Sequence, residues 1–204
     1  MPQPQGSVGR PATDLRQRRR AAMQRELALR AAHLFEEQGF ADTTVEQIAA
    51  NAGISLRTFY RHCPVKEEAL TPLLVEGVHT LVDALARRPA AEPLPEAARS
   101  ALLASSTTSE DTLRIARVML AEPVLKARWL AAGRRAQDLL VPVVARRLGV
   151  AADSLAAKTT AGMLVNVATT ALEHWALHPE DSTLGEVTSA AYTAVAGFGR
   201  AAAT

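Results

Sequence analysis

The sequence predicts an all-α fold, with a three-helix N-terminal domain followed by a larger helical domain. Three observations carry this. Hydrophobic residues make up 48% of the 204 residues but aromatics only 4%, and Ala and Leu dominate the apolar set. These side chains lose little freedom in a helix, whereas strands favour β-branched and aromatic residues. Apolar residues recur at spacings of three and four, and no segment carries a defensible strand pattern. Finally, Ser or Thr stands where helical patterns begin and Gly where several end.

Met1 to Thr13 is rich in Pro, Gln and Gly and reads as a mobile tail. A first helix runs from about Leu15 to Gln38, with Leu27, Ala31, Leu34 and Phe35 on one face, and Gly39 ends it. Thr44 caps a second helix, and Gln47 three residues later completes a capping box. Val45, Ile48, Ala49 and Ala52 form its apolar face, and Gly53 ends it. Ser55 caps a third helix running to about His62, after which Pro64 breaks the chain. A fourth helix spans about Lys66 to Arg87, with Leu70, Leu73, Leu74, Val78, Leu81, Val82 and Leu85 on its buried face. Pro72 lies in its first turns, where proline costs least.

The stretch from Arg88 to Pro95 holds three prolines and is expected to be a loop. Further helices are expected at about 96–106, 110–121, 123–148, 153–178 and 183–200. Asp153 is the expected cap of the fourth of these, and Thr183 with Glu186 forms a capping box for the last. The 153–178 segment carries no charge between Lys158 and Glu173, so it is apolar most of the way round and must be buried on more than one side. In a chain this small, that points to a subunit interface. The resulting division is a flexible basic tail over 1–18, a three-helix domain over 19–65 and a larger helical domain over 66–204.

Composition bounds the function. Cys63 is the lone cysteine, so no intrachain disulfide forms. No signal-peptide pattern and no apolar stretch near 18 residues is apparent, and a cytoplasmic protein without a membrane partner is expected. The net charge of +2 is small, but its distribution is uneven. The first seventy residues carry ten basic and eight acidic side chains; the remainder carry thirteen of each. Arg10, Arg16, Arg18, Arg19, Arg20, Arg25 and Arg30 face only Asp14 and Glu26. Such a segment attracts phosphates, although a solvated tail has the same composition. No nucleophile–base spacing, Gly-rich phosphate loop or metal constellation is evident, so no enzyme and no cofactor is expected. His174 and His178 are four apart, a spacing that can hold a metal, but no third ligand is evident beyond the adjacent Glu173, and no metal is expected.

The second and third helices, joined at Gly53-Ile54-Ser55, make a helix-turn-helix, in which the first braces the second in the major groove of DNA. The segment Gly39-Phe40, Thr43 to Ala49, Ala52 to Ser55, Thr58 to His62, Lys66-Glu67 and Leu70 resembles the N-terminal domain of the TetR family of bacterial regulators. The resemblance implies that Thr44 donates to a phosphate from its hydroxyl or backbone N–H. It implies that Ser55, Leu56 and Arg57 face the bases, with Arg57 placed to read a guanine. Tyr60 and His62 match positions that touch the backbone or a thymine methyl, and Lys66 matches a phosphate-holding lysine. Arg61 is either a phosphate contact or a solvated side chain. Arg10, Arg16, Arg18, Arg19 and Arg20 could form an arm reaching a minor groove. Cys63 stands where the family usually has an aromatic, and reads as a small buried hydrophobe, with a thiol switch as the alternative.

The resemblance further implies a C-terminal ligand-binding and dimerisation domain. Its last two helices would build a four-helix contact with their copies, giving a homodimer on a palindromic double-stranded operator. Expected pocket residues are His79, Met119, Trp129, Met163, Asn166, Thr170 and His174, which mix apolar bulk with sparse polar groups. The expected function is a ligand-responsive repressor released by a small, largely apolar effector, acting through the fourth helix as a lever. The alternatives are an activator or ligand-independent regulator and, more remotely, a helical adaptor or an enzyme.

Overall fold

Left-handed glycines and side-chain caps divide the chain into helices in the computed structural model, which describes residues 10–201 and the side chains of 15–197. The described residues contain nine α-helices and no strand. They are α1 (Arg10–Gln38), α2 (Val45–Asn51), α3 (Leu56–His62), α4 (Thr71–Arg87), α5 (Leu94–Ser105), α6 (Glu110–Ala121), α7 (Pro123–Leu148), α8 (Leu155–Leu177) and α9 (Leu184–Ala201), with a 3-10 turn at Lys66–Glu68 before α4. The chain forms two units that divide between Pro72 and Leu73.

In the first unit, α1 contributes Leu27, Ala28, Ala31, Ala32 and Phe35 as a buried stripe. Gly39 (φ 84°) lets the chain turn where an L side chain would be strained, and Gly53 (φ 66°) does the same between α2 and α3. Thr44 and Gln47 form the expected capping box, and Ser55 caps α3 by accepting from the backbone N–H of Thr58 at 3.2 Å. The start of α1 differs from expectation. Arg10 to Gln38 is helical, so the segment from Arg10 to Arg18 that was read as tail forms the first turns of α1. Arg, Ala, Leu and Gln there are helix formers, which outweighs the single early proline at Pro11. Residues 1–9 lie outside the described residues.

The second unit is built around the packing of α7 and α8. Leu140, Val143 and Val144 of α7 meet Ala161, Leu164 and Val167 of α8 in one apolar cluster, with Leu81, Leu85, Ala97, Ala101 and Leu102 from α4 and α5. Gly162 allows α7 close to α8: a Cβ there would stand 2.9 Å from Nε2 of Gln137, which donates to the carbonyl of Lys158. A second cluster joins Ala171 and Trp175 of α8 to Leu184 of α9, with Leu113 of α6 against it. Tyr192 of α9 is buried and donates to the carbonyl of Pro95 at 2.8 Å.

Three expectations are corrected here. Helix α5 begins at Leu94 rather than 96, because Pro95 falls in its first turn, where the missing N–H has no helical partner to lose. The cap of α8 is Ser154, not Asp153, with the Ser154 hydroxyl accepting from Ala157 N–H at 3.3 Å. One helical stretch, Lys66–Arg87, is long and apolar enough to cross a membrane, where none was expected. The 3-10 turn interrupts it, and its C-terminal half packs Leu81 and Leu85 into the α7–α8 cluster.

The end of α4 is held by one side chain. Arg147 of α7 donates to the carbonyls of Leu85, Arg88, Pro89 and Glu92, and Arg88 in turn bonds Glu92 at 2.7 Å. Orphan carbonyls at a helix C-terminus need such donors, and a planar fork can serve several. Arg147→Met should therefore lower stability by about 2 kcal/mol in urea denaturation, and Arg147→Lys should recover only part of it. A variant as stable as the parent would show that water serves these carbonyls equally well.

Candidate nucleic-acid interface

Helix α3 has only two turns, and its faces divide cleanly. Phe59 is fully buried and anchors the helix. Leu56, Arg57, Tyr60 and Arg61 are all exposed. Positions separated by one and four lie on one side of a helix, so the structure gathers these four on a single outward face. Leu56 is 40% and Tyr60 51% exposed, so both offer apolar surface beside Arg57. The Tyr60 ring is braced edge-on against Phe59, with centroids 5.5 Å apart. The guanidinium of Arg57 has no hydrogen bond or ion pair to another described residue.

The hydroxyl groups at the two helix starts are partly committed. Thr44 N–H donates to the Gln47 side chain at 2.7 Å, and the Thr44 hydroxyl oxygen accepts from Gln47 N–H at 3.2 Å. The backbone N–H expected to serve a phosphate is thus already occupied, which leaves the Thr44 hydroxyl proton as the available donor. Ser55 is exposed, but its hydroxyl accepts from Thr58 N–H and shares a hydrogen with the Thr58 hydroxyl at 3.0 Å.

Lys66, expected at a phosphate, has its ammonium engaged inside the domain of the free chain. Its ammonium donates to the carbonyls of Phe40 at 2.7 Å and Thr43 at 2.8 Å, with Ala41 at 3.5 Å, and lies 4.2 Å from the centroid of the Phe40 ring. An ammonium has three N–H donors, and these are spent inside the domain. Lys66 ties the α1–α2 loop to the turn after α3 instead of reaching outward. Beside it, the buried Thr43 donates to the carbonyl of Gly39 at 2.7 Å and accepts from Gln38. Thr43 had no role in the sequence reading. Between Asp42 and Thr44, nothing local marks it as the buried hydroxyl.

His62 is half-buried at the end of α3, and its carbonyl accepts from the Gln24 amide at 3.2 Å. Its buried Nδ1 has no partner among the described residues. Burial pushes its pKa below the usual histidine value, and the positive charges of Arg61 and Arg20 push it further. Arg16, Arg18, Arg19 and Arg20 are exposed on α1, so they present charge from a helix rather than from an extended arm. Arg10 begins α1, and its side chain lies outside the described residues. Cys63 is buried, and its thiol donates to the carbonyl of Val65 at 3.0 Å.

The expected pocket residues separate into two groups. Met119 and Trp129 are buried, and Met163 packs partly against the α7–α8 cluster. His79, Asn166, Thr170 and His174 are exposed and do not line the interior of a single chain. Helix α8 is apolar most of the way round, so its sequence did not reveal which stripe faces inward.

Two outcomes follow from this geometry. Lys66→Gln should lower thermal stability yet leave the salt dependence of DNA binding unchanged; a log–log slope reduced by about one would restore Lys66 as a phosphate contact. His62 resists protonation in the folded state, so its contribution is fully present above the ordinary histidine pKa and is lost as pH falls toward the lowered folded value. The melting temperature should therefore fall less between pH 7.5 and 5.5 (about one unit either side of the ordinary value) in His62→Gln than in the parent, and equal losses would remove this role.

Comparison with known proteins agrees with this arrangement. A model of the bacterial regulatory proteins of the tetR family matches residues 29–70, and a model of the MftR C-terminal domain matches residues 89–198. A Mycobacterium tuberculosis protein assigned as the mycofactocin biosynthesis transcriptional regulator MftR is 32% identical over 182 residues, covering 87% of this chain and 91% of its own. The structure of SmeT in complex with triclosan, a repressor from Stenotrophomonas maltophilia, has a TM-score of 0.62 at 24% identity, covering 84% of this chain and 88% of its own. Bacillus subtilis FadR in complex with stearoyl-CoA has a TM-score of 0.60 at 13% identity, covering 82% and 95%. These two structures share the fold. With its helix-turn-helix in the first unit and an MftR-type domain in the second, the chain belongs to the tetR family and is a DNA-binding transcriptional regulator.

Proposed function

We propose that this regulator is a repressor that binds a palindromic operator as a homodimer and leaves it when a small, largely apolar effector binds the second unit. The observation that carries the reading is the outward face of α3. Arg57 lies in its first turn with an uncommitted guanidinium, the geometry needed for a bidentate contact to guanine O6 and N7. Leu56 and Tyr60 beside it offer apolar contact to thymine methyls, and Ser55 borders them. Arg61 and the Thr44 hydroxyl serve phosphates at the edges. Exposed Arg16, Arg18, Arg19 and Arg20 extend this positive surface along α1.

Dimerisation is supported by two uncharged faces. On α8, Thr159, Asn166 and Thr170 are exposed with no charge between Lys158 and Glu173; on α9, Ala190, Thr193, Ala194 and Val195 are exposed with no charge from Val187 to Gly197. A second copy would cover both and set two recognition helices on one duplex. The effector class is supported by Met119 and Trp129 inside the second unit, and by the fold shared with a triclosan complex and a stearoyl-CoA complex. Effector binding releases DNA only through a difference in affinity between two conformations. Helix α4 starts in the first unit and continues into the second, so it is the chain's own connection between them.

The test is fluorescence anisotropy on DNA spanning the promoter of its own gene. Arg57→Ala should weaken operator binding roughly 5- to 150-fold, the 1–3 kcal/mol of a bidentate base contact, and weaken binding to unrelated DNA far less. Ala194→Arg should sediment as a monomer and lose operator affinity. Operator binding undiminished in Arg57→Ala, or by a monomer, would sink the reading.

A further inference from the structure

The turn that follows α8 gathers groups that DNA recognition does not use. His174 and His178 sit one helical turn apart, with ring centroids 5.0 Å apart. Pro179 then redirects the chain, and Asp181 N–H donates back to the His178 carbonyl at 3.4 Å. This fold-back brings carboxylate oxygens of Glu180 and Asp181 and a ring nitrogen of His178 within 4.8 Å of one another. The sequence reading sought a third ligand along the helix face and considered only Glu173, which instead pairs with Lys126 at 3.9 Å. The turn, not the helix, supplies the missing ligands.

The side chains of His174, His178, Glu180 and Asp181 are exposed and hold no other described hydrogen bond or ion pair. The Glu180 and Asp181 carboxylates have the His178 imidazole beside them. We infer that His178, Glu180 and Asp181, with His174 as fourth ligand, bind a divalent transition-metal ion of the Zn2+ class.

The chemistry is that of the donor set. Imidazole nitrogen selects first-row transition ions over Mg2+ or Ca2+, and two carboxylates neutralise a dication. Ligand atoms about 2.1 Å from one tetrahedral ion stand about 3.4 Å apart. His178, Glu180 and Asp181 must close from separations of up to 4.8 Å, which rotation of exposed side chains allows; His174 lies outside that group, one helical turn before His178, and would have to swing in to join it. Binding would staple the last turn of α8 to the α8–α9 turn.

Isothermal titration of the full chain with Zn2+ alone tests this. One ion per chain should bind. His178→Ala, His174→Ala and the isosteric pair Glu180→Gln with Asp181→Asn should each weaken binding at least about tenfold, as loss of a ligand does. His33→Ala should bind as the parent does. Zn2+ should also raise the melting temperature of the parent and not that of His178→Ala, with circular dichroism confirming that each variant folds. Absence of binding by the parent, unchanged affinity in either histidine variant, or an equal loss in His33→Ala would overturn the assignment.

Discussion

One ammonium organises the DNA-reading unit. Lys66 donates to carbonyls of Phe40 and Thr43 while stacking on the Phe40 ring. Those carbonyls belong to the loop that starts α2, and Lys66 itself belongs to the turn that ends α3. Helices of seven residues are too short to be stable by propensity alone, so α2 and α3 depend on what fixes their ends. The clamp fixes the entry of one and the exit of the other with a single side chain. The Thr43 bond to Gly39 and the Gln24 bond to the His62 carbonyl reinforce the same two points from α1. Such a frame holds the exposed face of α3 in place, as a reader of base edges needs.

Local chemistry was legible in the sequence where cause and effect lie within one turn of helix. The caps at Thr44, Ser55 and Thr183 and the left-handed Gly39 and Gly53 are of this kind, because each satisfies or frees a backbone group three or four residues away. The cap of α8 was placed one residue early because Asp153 and Ser154 are both good caps, and only backbone direction decides between them. The direction of Lys66 was not legible. Its partners lie 23 to 26 residues away, and nothing local distinguishes an ammonium aimed at a phosphate from one aimed at a carbonyl. The same limit applied to α8. A helix apolar on every side carries no period that separates interior from interface; Asn166 and Thr170 were open between a cavity and the dimer contact, and with His174 they are exposed on the single chain.

These limits bear on how such a regulator can change its target. In α3 the anchoring residues and the exposed face are different residues. Phe59 is fully buried, and Cys63 just beyond the helix is buried with its thiol on the Val65 carbonyl. Leu56, Arg57, Tyr60 and Arg61 face outward, and of these the Tyr60 ring also rests edge-on against Phe59. Substitution at exposed positions usually moves stability by no more than about 0.5 kcal/mol, whereas loss of Phe59 would cost about 3–5 kcal/mol. The outward face can therefore vary almost freely while the frame of Phe59, Thr43 and Lys66 cannot. The exposed face can therefore change without unfolding the domain beneath it.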